Sequence, residues 1–364
     1  MSDPSVLLVH EFPGAFGGAE RYLELLGKGL AASGVATSAF VFVDQPEAAP
    51  RLGDRLRAIA PGARVLPGRA RPGPIRAAVR EHRPTVLHWN FVDPFAFRGA
   101  SFLLLPWGRP SVITDHLPQL RHAGLHWETT RRLANRRIGR MIVVGEEARR
   151  EAVARWRRPP PLAVIPNGVP VGPAAARAPL AGRAARLLFV GRLTDQKGVE
   201  HLVPLLAAVR KRGHEAGLRI VGEGPRADAL ADGARDAGLS EAVTLVGFSP
   251  DPVAEMSAAD VLLAPSAYEG LPFTPLEALA TGLPLVLSDI PPHRELAPSG
   301  GGTGVQIAPV GDPAAWAEAV ERVLSDLPAA SSAAHAVAQD HRVEIMVDAT
   351  MAVYRTVSGS PAVR

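Results

Sequence analysis

From Val6 onward, short apolar runs alternate with stretches in which apolar residues recur every three or four positions. Residues 6–10, 38–43, 85–89, 111–114, 141–144 and 162–165 read as strands, several of them apolar throughout, as suits a parallel sheet covered by helices on both faces. Residues 19–30, 75–80 and 147–156 read as helices between them. Near Asn167 the pattern breaks, and residues 170–185 are rich in proline, glycine and alanine with no amphipathic period, which is how a linker reads. A second series follows, with strands over 186–190, 218–221, 243–246, 261–265, 285–288 and 305–308, and helices over 200–212, 225–237, 275–281 and 314–325. After Asp326 comes an alanine- and serine-rich stretch, then a terminal helix over 343–357 whose owner periodicity does not reveal. The expected organisation is a first α/β domain over 1–170, a linker over 171–185, a second α/β domain over 186–335 and a C-terminal helical segment over 336–364.

Length agrees, because 364 residues exceed what one hydrophobic core usually supports. Apolar residues make up 47% and charged residues 21%, the usage of a globular chain. The absence of cysteine removes disulfides, thiolate metal sites and cysteine nucleophiles. The opening Met1-Ser2-Asp3-Pro4 is acidic where a signal peptide is basic, and no apolar run approaches the roughly 20 residues that cross a bilayer, so a cytoplasmic protein is expected. The net charge of +4 is uneven: residues 1–170 carry 24 Lys and Arg against 14 Asp and Glu. That excess fits either solvated helix faces or a first domain that meets an anionic acceptor or membrane surface.

The most informative stretch runs from Ser266 to Pro284, Ser-Ala-Tyr-Glu-Gly-Leu-Pro-Phe-Thr-Pro-Leu-Glu-Ala-Leu-Ala-Thr-Gly-Leu-Pro, and it joins a strand to a helix. Thr274 as N-cap, Pro275 at the first helical position and Glu277 three after the cap would make a capping box, which gives Glu277 a purely structural reading. The same geometry presents free N–H groups to an anion. Seven residues separate Glu269 from Glu277, and the tail continues Leu276-Glu-Ala-Leu-Ala-Thr-Gly-Leu-Pro. This resembles the E-x7-E signature of the family 4 glycosyltransferases. The resemblance implies Glu277 on the ribose hydroxyls, Glu269 at the donor sugar, and Gly270, Leu271, Pro272, Phe273 and Thr274 as the donor loop between them.

A second motif, Gly191-Arg192-Leu193-Thr194-Asp195-Gln196-Lys197-Gly198, also lies between a strand and a helix. Two cations five apart around a turn can converge on one diphosphate, although surface charge is the plain alternative. Against that alternative, the chain has only three lysines, Lys28, Lys197 and Lys211, among 40 basic residues. The motif is again similar to family 4, which implies that Arg192 and Lys197 hold the leaving diphosphate.

The stretch Gly14-Ala-Phe-Gly17-Gly18-Ala19-Glu20-Arg21 is no full G-x-G-x-x-G, which disfavours a dinucleotide cofactor. It resembles the family's first-domain loop, so Gly17 and Gly18 are expected beside the diphosphate and the acceptor. His116 ends the strand Val112-Ile-Thr-Asp-His, where a ring can bond a sugar hydroxyl, and similar proteins carry a histidine there beside the donor sugar; neighbouring Asp115 is a weaker candidate. Val164-Ile-Pro-Asn-Gly-Val169, Val221-Gly222-Glu-Gly-Pro225 and Val246-Gly247-Phe248 complete the likeness, the last two being similar to loops that bracket the nucleobase. Ordinary βα turn chemistry also explains them.

The resemblance spans nearly the whole chain and implies the GT-B fold: α/β, with two Rossmann-like doubly wound domains facing a central cleft and a C-terminal helix free to cross back to the first. It also implies a retaining, metal-independent transferase moving a sugar from a UDP- or GDP-sugar to a hydroxyl of a glycan, lipid-linked acceptor or small metabolite. Glu269, His116, Arg192 and Lys197 are then the expected catalytic residues, with no metal, no cofactor and no nucleic-acid partner. No Asp-x-Asp metal motif stands between strands. Two rivals share the architecture, a nucleotide-sugar 2-epimerase and a non-catalytic sugar-nucleotide-binding protein.

Overall fold

The computed structural model describes residues 4–12, 17–43, 64–68, 71–91, 107–116, 133–156, 158–173, 177–297 and 302–359. They form two compact units, one running to Gly168 and resuming at Val343, the other spanning Val169–Arg342.

Unit 1 contains β1 (Val6–Phe12), α1 (Gly18–Ala32), β2 (Thr37–Val43), β3 (Arg64–Pro67), α2 (Pro72–His82), β4 (Val86–Phe91), β5 (Ser111–Asp115), β6 (Ile138–Val143), α3 (Glu146–Arg155) and β7 (Leu162–Val164). Its strands pair in the order β3-β2-β1-β4-β5-β6-β7, all parallel. Leu7, Leu8, Val41, Phe42, Leu87, Trp89 and Ile113 are fully buried, which is why these strands read as unbroken apolar runs.

Unit 2 contains β8 (Ala185–Val190), α4 (Leu202–Lys211), β9 (Ala216–Val221), α5 (Ala227–Asp236), β10 (Val243–Gly247), α6 (Pro252–Ala258), β11 (Val261–Ala264), α7 (Phe273–Ala280), β12 (Leu285–Ser288), α8 (Pro291–Arg294), β13 (Val305–Ala308), α9 (Pro313–Ser325) and α10 (Leu327–Gln339). Its parallel order is β10-β9-β8-β11-β12-β13. The core packs Leu187, Phe189, Leu206, Ile220, Leu263, Trp316 and Val320 between sheet and helices.

The last helix, α11 (Val343–Ser358), belongs to unit 1. It lies so close to α1 that a Cβ on Gly29 would stand 2.3 Å from Val347 Cγ2, so glycine in mid-helix is what permits the approach. Tyr354 is fully buried there, with its hydroxyl 2.5 Å from His88 Nδ1. The expected segment 336–364 is thus split at 340–342, where α10 ends and α11 starts. No helix among the described residues is long and apolar enough to cross a membrane.

The described residues of the proline- and glycine-rich stretch belong to unit 2. Arg177 is buried and donates to three main-chain oxygens, those of Met256 at 2.7 Å, Ala259 at 3.0 Å and Thr281 at 3.2 Å. Arg183 grips the fully buried Asp260 through both of its carboxylate oxygens, at 2.6 and 2.8 Å, and Arg186 adds its main-chain N–H at 2.8 Å. Burial alone would raise the Asp260 carboxyl, but the bonds from Arg183 and Arg186 outweigh it and hold it at about 2. A carboxyl depressed in the folded state stabilises above its unfolded value and loses that contribution as pH falls through the folded one. Asp260→Asn is therefore expected to cost on the order of 2 kcal/mol at neutral pH. In urea titrations its deficit against the parent should shrink between about pH 4 and pH 2; a deficit that stays constant across that window excludes this role.

Candidate active site

In unit 2 the chain leaves β8 toward β9 and leaves β11 toward β12, so the neighbours β8 and β11 flank the point where the strand order reverses. Ligands of open α/β sheets bind outside the carboxyl ends of the strands at such a point. The loops that follow these two strands carry the two strongest motifs.

After β8, Asp195–Lys197 form a single 3-10 turn closed by Gly198 at φ 63°. A Cβ on Gly198 would stand 2.0 Å from the Pro265 oxygen, so this turn meets the β11 loop only because the residue is glycine. Main-chain bonding joins the loops, with Ala267 N–H donating to Gln196 O at 2.9 Å. Across this junction Lys197 Nζ donates to Glu269 Oε1 at 2.5 Å, and Ser266 Oγ donates to the same oxygen at 2.8 Å. The pair is largely buried, the side chains being 18% and 7% exposed, so each charge depends on the other. Arg192 is exposed and donates to Gln196 Oε1 at 3.0 Å, which leaves most of its guanidinium to solvent.

Gly222 and Gly247 are joined by an N–H···O bond of 2.8 Å that ties the β9 loop to the end of β10. Val246 is half-buried and Phe248 is 70% exposed, an uncovered ring beside this junction. Leu271 and Phe273 are buried, whereas Gly270, Pro272 and Thr274 are half-exposed.

The capping-box expectation fails. Helix α7 begins at Phe273, and its N-cap is Pro272 in extended conformation, whose side chain makes no capping bond. Thr274 and Pro275 are therefore the second and third helical residues, and Glu277 is the fifth and half-buried, not the third that a capping box needs. Proline is tolerated at the third position because the first four N–H groups of a helix have no internal partner. With prolines at two of those four positions, only the N–H groups of Phe273 and Thr274 remain for an anion.

Sequence reasoning missed His293, which α8 carries into the same region. Ser288 Oγ donates to Ser266 O at 2.6 Å, and His293 Nδ1 lies 3.0 Å from Ser288 O. Burial pushes the fully buried ring down to about 4 against the opposing charge of Glu269, and its Nε2 has no hydrogen-bond partner among the described residues. Its only sequence signal was a histidine in the first turn after β12.

Unit 1 has its own reversal point between β1 and β4. Gly17 is the extended N-cap of α1, which begins at Gly18, and its N–H donates to Glu20 Oε2 at 2.7 Å. Residues 14–16 of the glycine-rich stretch lie outside the described residues. His116 follows β5, with Nε2 2.6 Å from Asn90 Oδ1. Asp115 is buried and paired with Arg155. His10, Glu20 and Asn90 are buried around the same strand ends, and sequence reasoning singled out none of them. Among the described residues no group of three or more His, Asp or Glu side chains could hold a metal ion.

Comparison with known proteins agrees with this architecture. Residues 176–339 match the family of glycosyl transferases group 1, and residues 16–172 match glycosyltransferase family 4. The chain belongs to these glycosyltransferases, one matched region falling on each α/β unit. It is 39% identical over 201 residues to a glycogen synthase of Mycobacterium tuberculosis, the match covering 53% of this chain and 48% of that one. The chain thus spans about half the length of that relative. A GDP-mannose-dependent alpha-(1-6)-phosphatidylinositol monomannoside mannosyltransferase of the same organism is 27% identical over 312 residues, covering 77% of this chain and 79% of its own. Among solved structures, Anabaena HepE in complex with UDP-glucose superposes with a TM-score of 0.78 at 20% identity, over 98% of this chain and 100% of that one, which shows a shared GT-B fold.

Proposed function

We propose that this chain transfers a glycosyl group from a nucleoside diphosphate sugar to an acceptor hydroxyl, with retention at the anomeric carbon and without a metal ion. The observation that carries this reading is the Lys197–Glu269 pair, a buried cation and carboxylate supplied by the two loops at the reversal point of unit 2. A departing nucleoside diphosphate gains negative charge as the glycosidic C–O bond breaks. Lys197, Arg192 and the N–H groups of Phe273 and Thr274 are the groups that would balance it, doing what a divalent cation does in other transferases. Positive charge develops at the anomeric carbon, where a carboxylate such as Glu269 stabilises it. Glu269 Oε1 already accepts from Lys197 and Ser266, which suits electrostatic support better than covalent attack. The acceptor oxygen attacks on the face the phosphate leaves, and its proton passes to that phosphate. Trapping a glycosylated Glu269 in active enzyme would sink this route.

UDP and GDP are the candidate donor nucleotides, since structural neighbours are complexed with UDP and UDP-glucose and one relative is named GDP-mannose-dependent. The first test is a thermal-shift panel of sugar nucleotides, because a ligand that binds only the folded state raises its melting temperature. Transfer and hydrolysis of the stabilising donor are then followed by NMR with EDTA present. Turnover should survive the chelator and give a product with the donor's anomeric configuration. Loss of turnover restored by magnesium or manganese overturns metal independence, and an inverted product overturns retention. A released free epimer would point to a 2-epimerase, and binding without turnover to a non-catalytic protein.

A further inference from the structure

Three buried polar side chains, His10, Glu20 and Asn90, and the half-buried His116 form one connected chain in unit 1 at the carboxyl ends of β1, β4 and β5. His10 stands between two acceptors: its Nδ1 is 2.5 Å from Asn90 O and its Nε2 is 2.9 Å from Glu20 Oε1. A carbonyl oxygen only accepts, so Nδ1 carries a proton. Burial tends to raise the Glu20 carboxyl, but bonding to His10 outweighs it and leaves the group below the usual carboxylate range. The His10 ring thus bridges the Asn90 main chain and the Glu20 carboxyl. This buried pair grips the Asn90 main chain.

The Asn90 side chain is oriented independently. Its Nδ2 donates to Ala19 O at 2.9 Å, which makes Oδ1 the atom that faces His116 Nε2 at 2.6 Å. An amide oxygen accepts, so the His116 proton sits on Nε2. Burial, with a smaller contribution from the neighbouring His10 charge, pushes His116 down to about 3, so at neutral pH the ring holds that one proton. The edge of the Tyr22 ring, 4.8 Å away at 71°, fixes the plane. His116 Nδ1 keeps a lone pair with no partner among the described residues.

We infer that Asn90, held by the His10–Glu20 pair, is a positioning residue that locks His116 in its Nε2–H form, so that Nδ1 accepts a hydrogen bond from a sugar hydroxyl. This rests on the reading that His116 meets the transferred sugar, and it makes the ring an acceptor for that hydroxyl instead of a proton donor to it. The tautomer is testable without any ligand. In protein labelled with 15N-histidine, long-range 1H–15N correlation spectra, with the ring assigned by its loss in His116→Gln, should show Nε2–H and bare Nδ1 across about pH 6 to 8. Asn90→Asp keeps an acceptor toward His116 and should keep that tautomer. Asn90→Leu removes it and should give a mixture of tautomers. Hydrolysis of whichever of UDP-glucose and GDP-mannose stabilises the protein should then lose about tenfold in kcat with donor KM within about twofold, a split that loss of fold does not produce. An Nδ1–H ring in the parent, or an Asn90→Leu ring still locked as Nε2–H, overturns the positioning role. The expected tautomer with undiminished turnover in His116→Gln instead overturns the sugar contact and leaves the His10–Glu20–Asn90 relay standing.

Discussion

Lys197→Ala is expected to lower kcat/KM by about 100- to 1,000-fold, the largest loss of any single substitution in unit 2, whereas Arg192→Ala should cost about tenfold. Both cations are assigned to the departing diphosphate, but their surroundings differ. Arg192 is exposed and, among the described residues, bonded to Gln196 on its own turn, so water screens what it contributes. Lys197 is largely buried against Glu269, where water is excluded and each charge acts more strongly. Removing it also leaves the Glu269 carboxylate without its cation, so Lys197→Ala should melt lower than the parent while Arg192→Ala melts with it. The double variant Lys197→Ala/Glu269→Gln separates the two effects. Neutralising the stranded carboxylate should restore much of the melting temperature and none of the turnover. Melting curves beside steady-state kinetics decide the matter. Near-normal turnover in Lys197→Ala, or turnover recovered together with stability in the double variant, would show that this pair is a structural ion pair alone.

How much of this was legible in the chain depended on the distance over which each feature is determined. Strands such as β8 and β12 were readable because most of their residues are buried and their apolar runs stop at Gly191 and at Ser288. Strand β3 was not, since only Val65 and Leu66 are apolar in a four-residue edge strand whose ends are exposed. Helix α10 carried no amphipathic signal because alanine and serine serve both of its faces, although Asp326 does cap it by accepting from Ala329 N–H at 3.0 Å. The E-x7-E spacing and the Arg192–Lys197 turn are local patterns and needed no fold to be seen. His10, Glu20 and Asn90 acquire meaning only when β1 and β4, 80 residues apart in sequence, become neighbours. The start of α7 was misplaced for a local reason: Thr274-Pro275 has the composition of a helix start, while Pro272 in extended conformation ends the loop two residues sooner.

Glu269 and Glu277 should fail differently when each is replaced by glutamine. Because Glu277 is the fifth helical residue and not the third, Glu277→Gln removes no capping-box bond and should keep the start of α7. Melting curves should show the variant folded, with the start of α7 intact. A neutral amide accepts more weakly from ribose hydroxyls than a carboxylate, so donor KM should rise about tenfold with kcat little changed. Glu269→Gln is the opposite case. Glutamine can still accept from Ser266 Oγ, so the loop keeps one anchor, but the buried Lys197 loses its counter-charge and the anomeric carbon loses a carboxylate. Its kcat should therefore fall by about 100-fold or more while donor KM changes less, since the interaction lost is stronger in the transition state than in the ground state. Steady-state profiles in donor concentration, run beside melting curves for both variants, make the comparison. Equal rises in donor KM would show that the two carboxylates do not divide sugar from ribose. Full activity in Glu269→Gln would mean that Glu269 serves only to bury Lys197, and the electrostatic role at the sugar would have to be abandoned.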